Sequence, residues 1–156
     1  MGDITRVQAK VITGLHQIEV EDTVVATLEF RNGTIGTLEA ATSAYPGYAR
    51  RLELTGSEGT IIVEGDQNIR VDLRTLVADA PAPAKDESQA RATSPVVSDV
   101  SGHRRVLEDF IQAIQTNGRS LCDGPEGRRS LALVEAVYES SRTTHAVQLN
   151  RRSATD

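Results

Sequence analysis

Few residues in this 156-residue chain have the types and spacing that chemistry requires. Asp99 and His103 stand four apart. On a helix that spacing puts a carboxylate and an imidazole on one face, as acid–base work needs. Pro95, Ser101 and Gly102 surround the pair, so Asp99 is expected to precede the helix and His103 to lie exposed in its first turn. The three histidines, His16, His103 and His145, are too dispersed for a metal spacing. Cys122 is the only cysteine, which excludes an intrachain disulfide and a thiolate metal cluster, and is read as inert rather than as an exposed loop thiol.

The corner Tyr45-Pro46-Gly47-Tyr48, with Arg50 just beyond, is the stronger candidate. Two phenols and a guanidinium gather where a strand breaks. Phenols suit sugar hydroxyls, since each offers a donor, an acceptor and a flat apolar face. The competing reading is a turn whose tyrosine rings pack on the sheet. Gly33-x-x-Gly36 and Gly56-x-x-Gly59 are turn and close-packing glycines, because neither has the G-x-G-x-x-G pattern leading into a helix. Arg128-Arg129 and Arg151-Arg152 are read as solvated pairs.

The elements that must position these groups follow from periodicity. Val7, Ala9 and Val11 alternate with Gln8, Lys10 and Ile12; Val24, Ala26, Leu28 and Phe30 alternate with Thr23, Val25, Thr27 and Glu29. Asn32-Gly33 then predicts a hairpin with a type I′ turn. A return strand rich in Thr and Ala runs over 34–44. Short strands follow around 51–54, 60–64 and 69–73, completing an antiparallel meander of about six. Residues 79–102, rich in Ala, Pro, Ser and charge, are expected to form a flexible loop. Val106, Leu107, Phe110, Ala113 and Ile114 mark one helix, stopped at Asn117-Gly118. Asp123 or Gly124 caps a second, with Pro125 in its first turn and Leu131, Val134, Val137, Tyr138 and Ser141 on its inner face. Residues 146–149 suit a last edge strand. Strands first and helices after give an α+β class: an open-faced, largely antiparallel sheet with helices on one face.

Composition narrows the function. Hydrophobic residues make up 38%, charged residues 25% and aromatics 3%. The net charge of -5 argues against nucleic-acid or anionic-membrane binding. With no signal segment and no apolar run of membrane length, a cytoplasmic protein is expected. The strands carry apolar or small residues on both sides, Val25 being out of phase with its neighbours and Ile62 with Ile61 and Val63. An uncovered face of that kind predicts a homodimer through the sheet, weakened by Lys at Val25 or Leu38.

Three stretches together, "VEDTVVATLEFRNGTIGTLEA", "AYPGYARRLELTGSEGTIIVEGD" and "LEDFIQAIQTNGRS…DGPEGRRSLALVEAVYESS", resemble the C-terminal portion of the glucose–fructose oxidoreductase, inositol dehydrogenase and rhizopine-catabolism (Gfo/Idh/MocA) family, from about Gly2 to Leu149. The resemblance implies a two-domain parent. A preceding Rossmann domain binds NAD or NADP, and the second domain completes the substrate site and forms oligomer contacts. It implies hydride transfer between a sugar or cyclitol carbon and nicotinamide, using a Lys from a Glu-Lys-Pro motif and an Asp/His pair on a helix. This sequence contains no nucleotide fingerprint and no Glu-Lys-Pro. Lys10 falls in a strand pattern, Lys85 in the loop, and Asp99 and His103 come after the strands rather than before them. Residues 1–156 are therefore expected to be a single, truncated C-terminal domain, without the Rossmann domain, without catalytic residues or a bound cofactor of its own, and inactive alone. Tyr45, Tyr48 and Arg50 remain as candidate substrate-binding residues. The alternatives are a stand-alone dimerisation module and a sugar-binding module.

Overall fold

The structure is a computed structural model describing residues 1–65, 67–75 and 100–149. Seven strands and two helices follow in the order β1 (Ile4–Ile12), β2 (Thr23–Phe30), β3 (Ile35–Ala41), β4 (Arg51–Gly56), β5 (Gly59–Glu64), β6 (Gln67–Leu73), α1 (Ser101–Thr116), α2 (Gly124–Thr143) and β7 (Val147–Gln148). The class is α+β with antiparallel pairing throughout, as the alternation predicts. The meander is not one sheet, however. β3-β2-β1-β7 form a four-stranded sheet and β4-β5-β6 a three-stranded one. The chain divides into two compact units, Met1–Ser43 with Ser98–Asp156, and Ala44–Val97. The division falls at the Pro46 corner, where proline has no N–H to continue a ladder.

In the first unit, β2 and β3 form the hairpin expected at Asn32-Gly33, but not through a type I′ turn. Gly33 has φ +85° and Asn32 does not share its positive φ. The Gly33 N–H donates to Phe30 O (2.9 Å), the Phe30 N–H donates to Thr34 O (2.8 Å), and Asn32 Oδ1 accepts from Thr34 N (3.1 Å). This is a type I turn closed by a left-handed glycine, the usual three-residue solution.

Val7, Ala26 and Leu28 point to one side of the four-stranded sheet and meet Ala136 of α2; Ile4, Ala9, Phe30, Leu133, Val137, Val147 and Leu149 pack around them. The face of α2 that buries is therefore Ala136, Ser140 and Ser141 with Leu133 and Val137. Val137 and Ser141 lie on the predicted inner face, and the rest of that prediction is corrected, since Leu131, Val134 and Tyr138 are exposed. Small residues at 136 and 140 let the helix axis approach the sheet more closely than a Leu/Tyr stripe could.

Helix α2 also completes the sheet edge. β7 pairs with β1 only at Arg6 and Val7. Beyond it, the Ala9 N–H donates to Ser140 Oγ and the Val11 N–H to Ser141 Oγ, both at 2.9 Å. Ser140 Oγ in turn donates to His145 O (2.7 Å). Two serines thus replace the missing edge strand, and no buried donor is left open there.

The opposite face of this sheet corrects a second expectation. Across strands it reads Gln8–Thr27–Thr37 and Lys10–Val25–Glu39, with an Arg6–Glu29 ion pair at 2.5 Å. It is polar at its centre, with Val25 and, toward the strand ends, Ile12 and Ile35 as its exposed apolar residues. Leu38 is not on it: Leu38 pairs with Ala26, on the α2 side, whereas Val25 pairs with Glu39.

Both helices end as their sequences suggest. Asn117 takes φ 50° and Gly118 N–H donates to Ala113 O (2.8 Å), closing α1. Asp123 caps α2, its Oδ1 accepting from Glu126 N (2.9 Å), with Pro125 in the first turn. α1 begins without a side-chain cap, after Val100. The expected loop 79–102 lies outside the described residues apart from its last three: Val100 precedes the helix, and Ser101 and Gly102 begin it rather than continuing the loop. In the second unit, Leu52, Leu54, Ile61, Val63 and Val71 share one face, while Ile62 is buried on the other, among the charged residues.

Candidate functional site

The corner belongs to the second unit, between its boundary at Ala44 and the start of β4. The Tyr45–Pro46 peptide is cis, and Gly47 has φ +75°, a conformation open to glycine at little cost. The far end is pinned where the Gly65 N–H donates to Arg50 O (2.9 Å), tying the corner to the β5–β6 turn. Next to it the Arg51 guanidinium spans Glu64 (3.1 Å) and Glu53 (3.2 Å), and the two carboxylates hold Arg51 more firmly protonated, Glu53 most.

Pinned backbone and open side chains are the character of this corner. Tyr45 is 97% exposed and Tyr48 81%. The reading in which the two rings pack on the sheet is thereby overturned. Arg50 is also exposed. The corner presents two phenols and their ring faces to whatever adjoins them, on a backbone tied at its Arg50 end. Such a surface can donate to, accept from and stack on a polyhydroxylated molecule.

The other sequence candidates stay apart. His103 is exposed in the first turn of α1, as expected, while Asp99 and Lys85 lie outside the described residues. His16 Nδ1 lies 3.3 Å from Asp22, and His145 Nδ1 lies 2.6 Å from Thr143 O. Cys122 is exposed. Among the described residues, no three His, Cys, Asp or Glu side chains come together to hold a metal.

Two polar centres in the first unit were not anticipated. Asp22, almost fully buried at 3% exposure, accepts from the backbone N–H groups of Gly14 (2.9 Å), Leu15 (2.8 Å) and His16 (3.0 Å) and from Thr23 Oγ1 (2.9 Å). These donors, that of Gly14 first, hold its carboxyl far below the usual carboxylate range. Asp22 thus organises the whole β1–β2 loop. The available signal was an acid directly before a strand and after a loop containing Gly14. The second centre is Tyr138, whose hydroxyl donates to Glu21 at 2.5 Å. The bond lowers the Glu21 carboxyl and raises the Tyr138 phenol. Beside it runs a shallow open groove of about 560 Å³, lined by Val11, Glu135, Tyr138, Glu139, Ser141 and Arg142.

With this geometry in view, residues 3–149 match the model of the oxidoreductase family's C-terminal alpha/beta domain (Gfo/Idh/MocA). The chain belongs to the Gfo/Idh/MocA oxidoreductase family. Its similar curated proteins include inositol 2-dehydrogenase of Rhizobium meliloti, 25% identical over 76% of this chain and 34% of that protein. D-apiose dehydrogenase of Paraburkholderia graminis is 26% identical over 98% of this chain and 41% of its own length. Among solved structures, the WlbA dehydrogenase of Bordetella pertussis, in complex with NADH and UDP-GlcNAcA, superposes with a TM-score of 0.77 at 28% identity. The match covers 96% of this chain and 43% of WlbA. The chain thus spans well under half the length of the family members it matches. No helix among the described residues is long and apolar enough to cross a membrane.

Proposed function

We propose that this chain is the substrate-side and assembly domain of an NAD(P)-dependent sugar or cyclitol oxidoreductase, and that it transfers no hydride alone. One observation carries the reading. Nearly the whole chain matches a C-terminal domain, and the match covers only 34–41% of the curated dehydrogenases above, which supports assigning the cofactor chemistry to the remainder of such proteins. NAD or NADP is held by a preceding Rossmann domain, and supplies the hydride acceptor or donor. This domain contributes a wall of the substrate site: Tyr45 and Tyr48 engage sugar hydroxyls and ring faces, and Arg50 adds a cation beside them. Homodimerisation through the open sheet face, on the side of Val25, and a cytoplasmic location belong to the same proposal.

Calorimetry tests the central part. The isolated chain is expected to bind neither NADH nor NADPH, because it offers no glycine-rich turn feeding a helix N-terminus; micromolar affinity for either would overturn the assignment. In a polypeptide that also contains the nucleotide-binding domain, Tyr45→Ala or Tyr48→Ala should weaken sugar binding about tenfold, the effect of one hydrogen bond.

The exposure of both phenols also favours a second reading, a sugar-binding module without redox chemistry. Saturable sugar binding by the isolated chain, lost in Tyr45→Ala, would select it.

A further inference from the structure

Two Asn-Gly pairs occur in the chain, Asn32-Gly33 and Asn117-Gly118. A glycine after asparagine leaves its peptide nitrogen open to the asparagine side chain, because no β-carbon shields it. The first pair turns β2 into β3 and the second closes α1. All four residues are exposed. In other respects the fold treats the two pairs differently.

At the hairpin, Asn32 Oδ1 accepts from the Thr34 N–H at 3.1 Å. That bond draws the side chain along the Gly33 peptide, toward the nitrogen that follows it. It also sets a donor at the oxygen on which negative charge develops when a nucleophile adds to Asn32 Cγ. A β-carbon built on Gly33 would meet nothing within 4 Å, so the space beside it is open. At the helix end, Asn117 has φ 50°, its N–H donates to Ile114 O (3.3 Å), and the Gly118 N–H donates to Ala113 O (2.8 Å). A β-carbon on Gly118 would lie 3.0 Å from Thr116 Oγ1, so that side is occupied.

We propose that Asn32 is a site of spontaneous covalent modification, converting to aspartate and isoaspartate through a succinimide, and that the fold protects Asn117. The Gly33 nitrogen gives its proton to a solvent base and forms a bond to Asn32 Cγ. The Cγ–Nδ2 bond breaks, and the departing nitrogen takes a proton from water and leaves as ammonia. Water then adds to one of the two ring carbonyls and opens the ring. An amide has become a carboxylate, with nothing oxidised or reduced, and the chain has gained one negative charge. For this reaction the Gly33 N–H must leave only Phe30 O, a bond within the turn, whereas Gly118 must release the end of a helix. The chemistry needs no partner domain and is independent of the oxidoreductase reading. Its consequence falls on the sheet. Isoaspartate carries the main chain through Cβ and Cγ, which lengthens the turn and takes the Oδ1 acceptor away from Thr34 N. β3 is the outermost strand of its sheet and pairs with β2 alone among the described residues, so a lengthened turn loosens that edge.

The test ages the 156-residue chain in mildly alkaline buffer, folded and in urea, and follows both Asn-Gly peptides by mass mapping. An isoaspartate-specific methyltransferase reads the β-linked product. In urea the two sites are expected to react at similar rates. In the folded chain Asn32 should react about tenfold faster than Asn117, the effect of one hydrogen bond. Amide exchange over residues 35–41 should then accelerate in the aged protein. Asn32→Gln, whose longer side chain disfavours ring closure, should stay unmodified at that position and keep its exchange over 35–41 unchanged on ageing. A ratio of the two rates that does not rise on folding, or an Asn32 that stays intact in the folded chain while reacting in urea, would overturn the proposal. Equal acceleration over 35–41 in Asn32→Gln would overturn the link between the modification and the loosened edge.

Discussion

Ser140 holds together three pieces of chain that are far apart in sequence, and its removal has a calculable cost. Its side chain is fully buried. Oγ accepts from the Ala9 N–H at 2.9 Å and donates to His145 O at 2.7 Å. Ser140→Ala leaves the half-buried Ala9 N–H and the His145 carbonyl without this partner, each costing about 1–3 kcal/mol. Alanine is the better helix former by about 0.5 kcal/mol, which acts in the opposite direction. The net loss should be about 1.5–5.5 kcal/mol, or roughly 3–20 °C in Tm for a chain of this size. Ser141 makes one such bond, to the Val11 N–H, so Ser141→Ala should cost about half as much. Ser130 is exposed and bonds only Glu126 O on its own helix, so Ser130→Ala should be neutral or slightly stabilising. Thermal unfolding followed by circular dichroism ranks the three variants, and amide exchange at Ala9 should accelerate in Ser140→Ala. If Ser140→Ala and Ser130→Ala melted together, within about 1 kcal/mol, water would be replacing the hydroxyl and the edge-capping argument would fail.

Asp22→Asn should destabilise the chain and flatten the acid limb of its stability curve. The carboxyl titrates well below its ordinary 3.8 in the folded state, so its contribution is present above about pH 4 and is lost as the pH falls below that value. Urea midpoints from pH 2 to 7 that run parallel for the two proteins would refute this. Tyr138→Phe should raise the Glu21 carboxyl toward its ordinary 4.5, because the phenol donor is the largest cause of its lowering; an NMR titration of Glu21 reads it directly. Val25→Lys should weaken self-association through the polar sheet face, whereas Leu38→Lys, on the α2 side, should not. Sedimentation showing a monomer for the parent chain at every concentration would remove the dimer proposal.

Local pattern carried a good deal of this protein. Alternation located β1 and β2, Asn32-Gly33 placed the hairpin, Asn117-Gly118 ended α1, and Asp123 with Pro125 began α2. These features are set by φ/ψ preference and by bonds within a few residues, so a short window contains their cause. The exposed Tyr45–Tyr48 corner could be found the same way, as a break between strands, though not whether its rings would pack or project. What tertiary structure decided involves partners that no window contains. Alternation says which residues share a face but not which strand edges pair, so the division into two sheets was not legible. α2 carries two apolar stripes, and only the sheet it meets selected Ala136 and Ser140 over Leu131 and Tyr138, by allowing close approach. The Ser140–Ala9 bond joins residues 131 apart, and the Asp22 cage forms only once the β1–β2 loop has folded back on the acid. Local preference is blind to the serine bond, because a buried hydroxyl is stabilised by a donor that the fold, not the neighbouring sequence, brings within 3 Å; the Asp22 donors lie within eight residues of it, and the acid set between the Gly14 loop and a strand was their local signal.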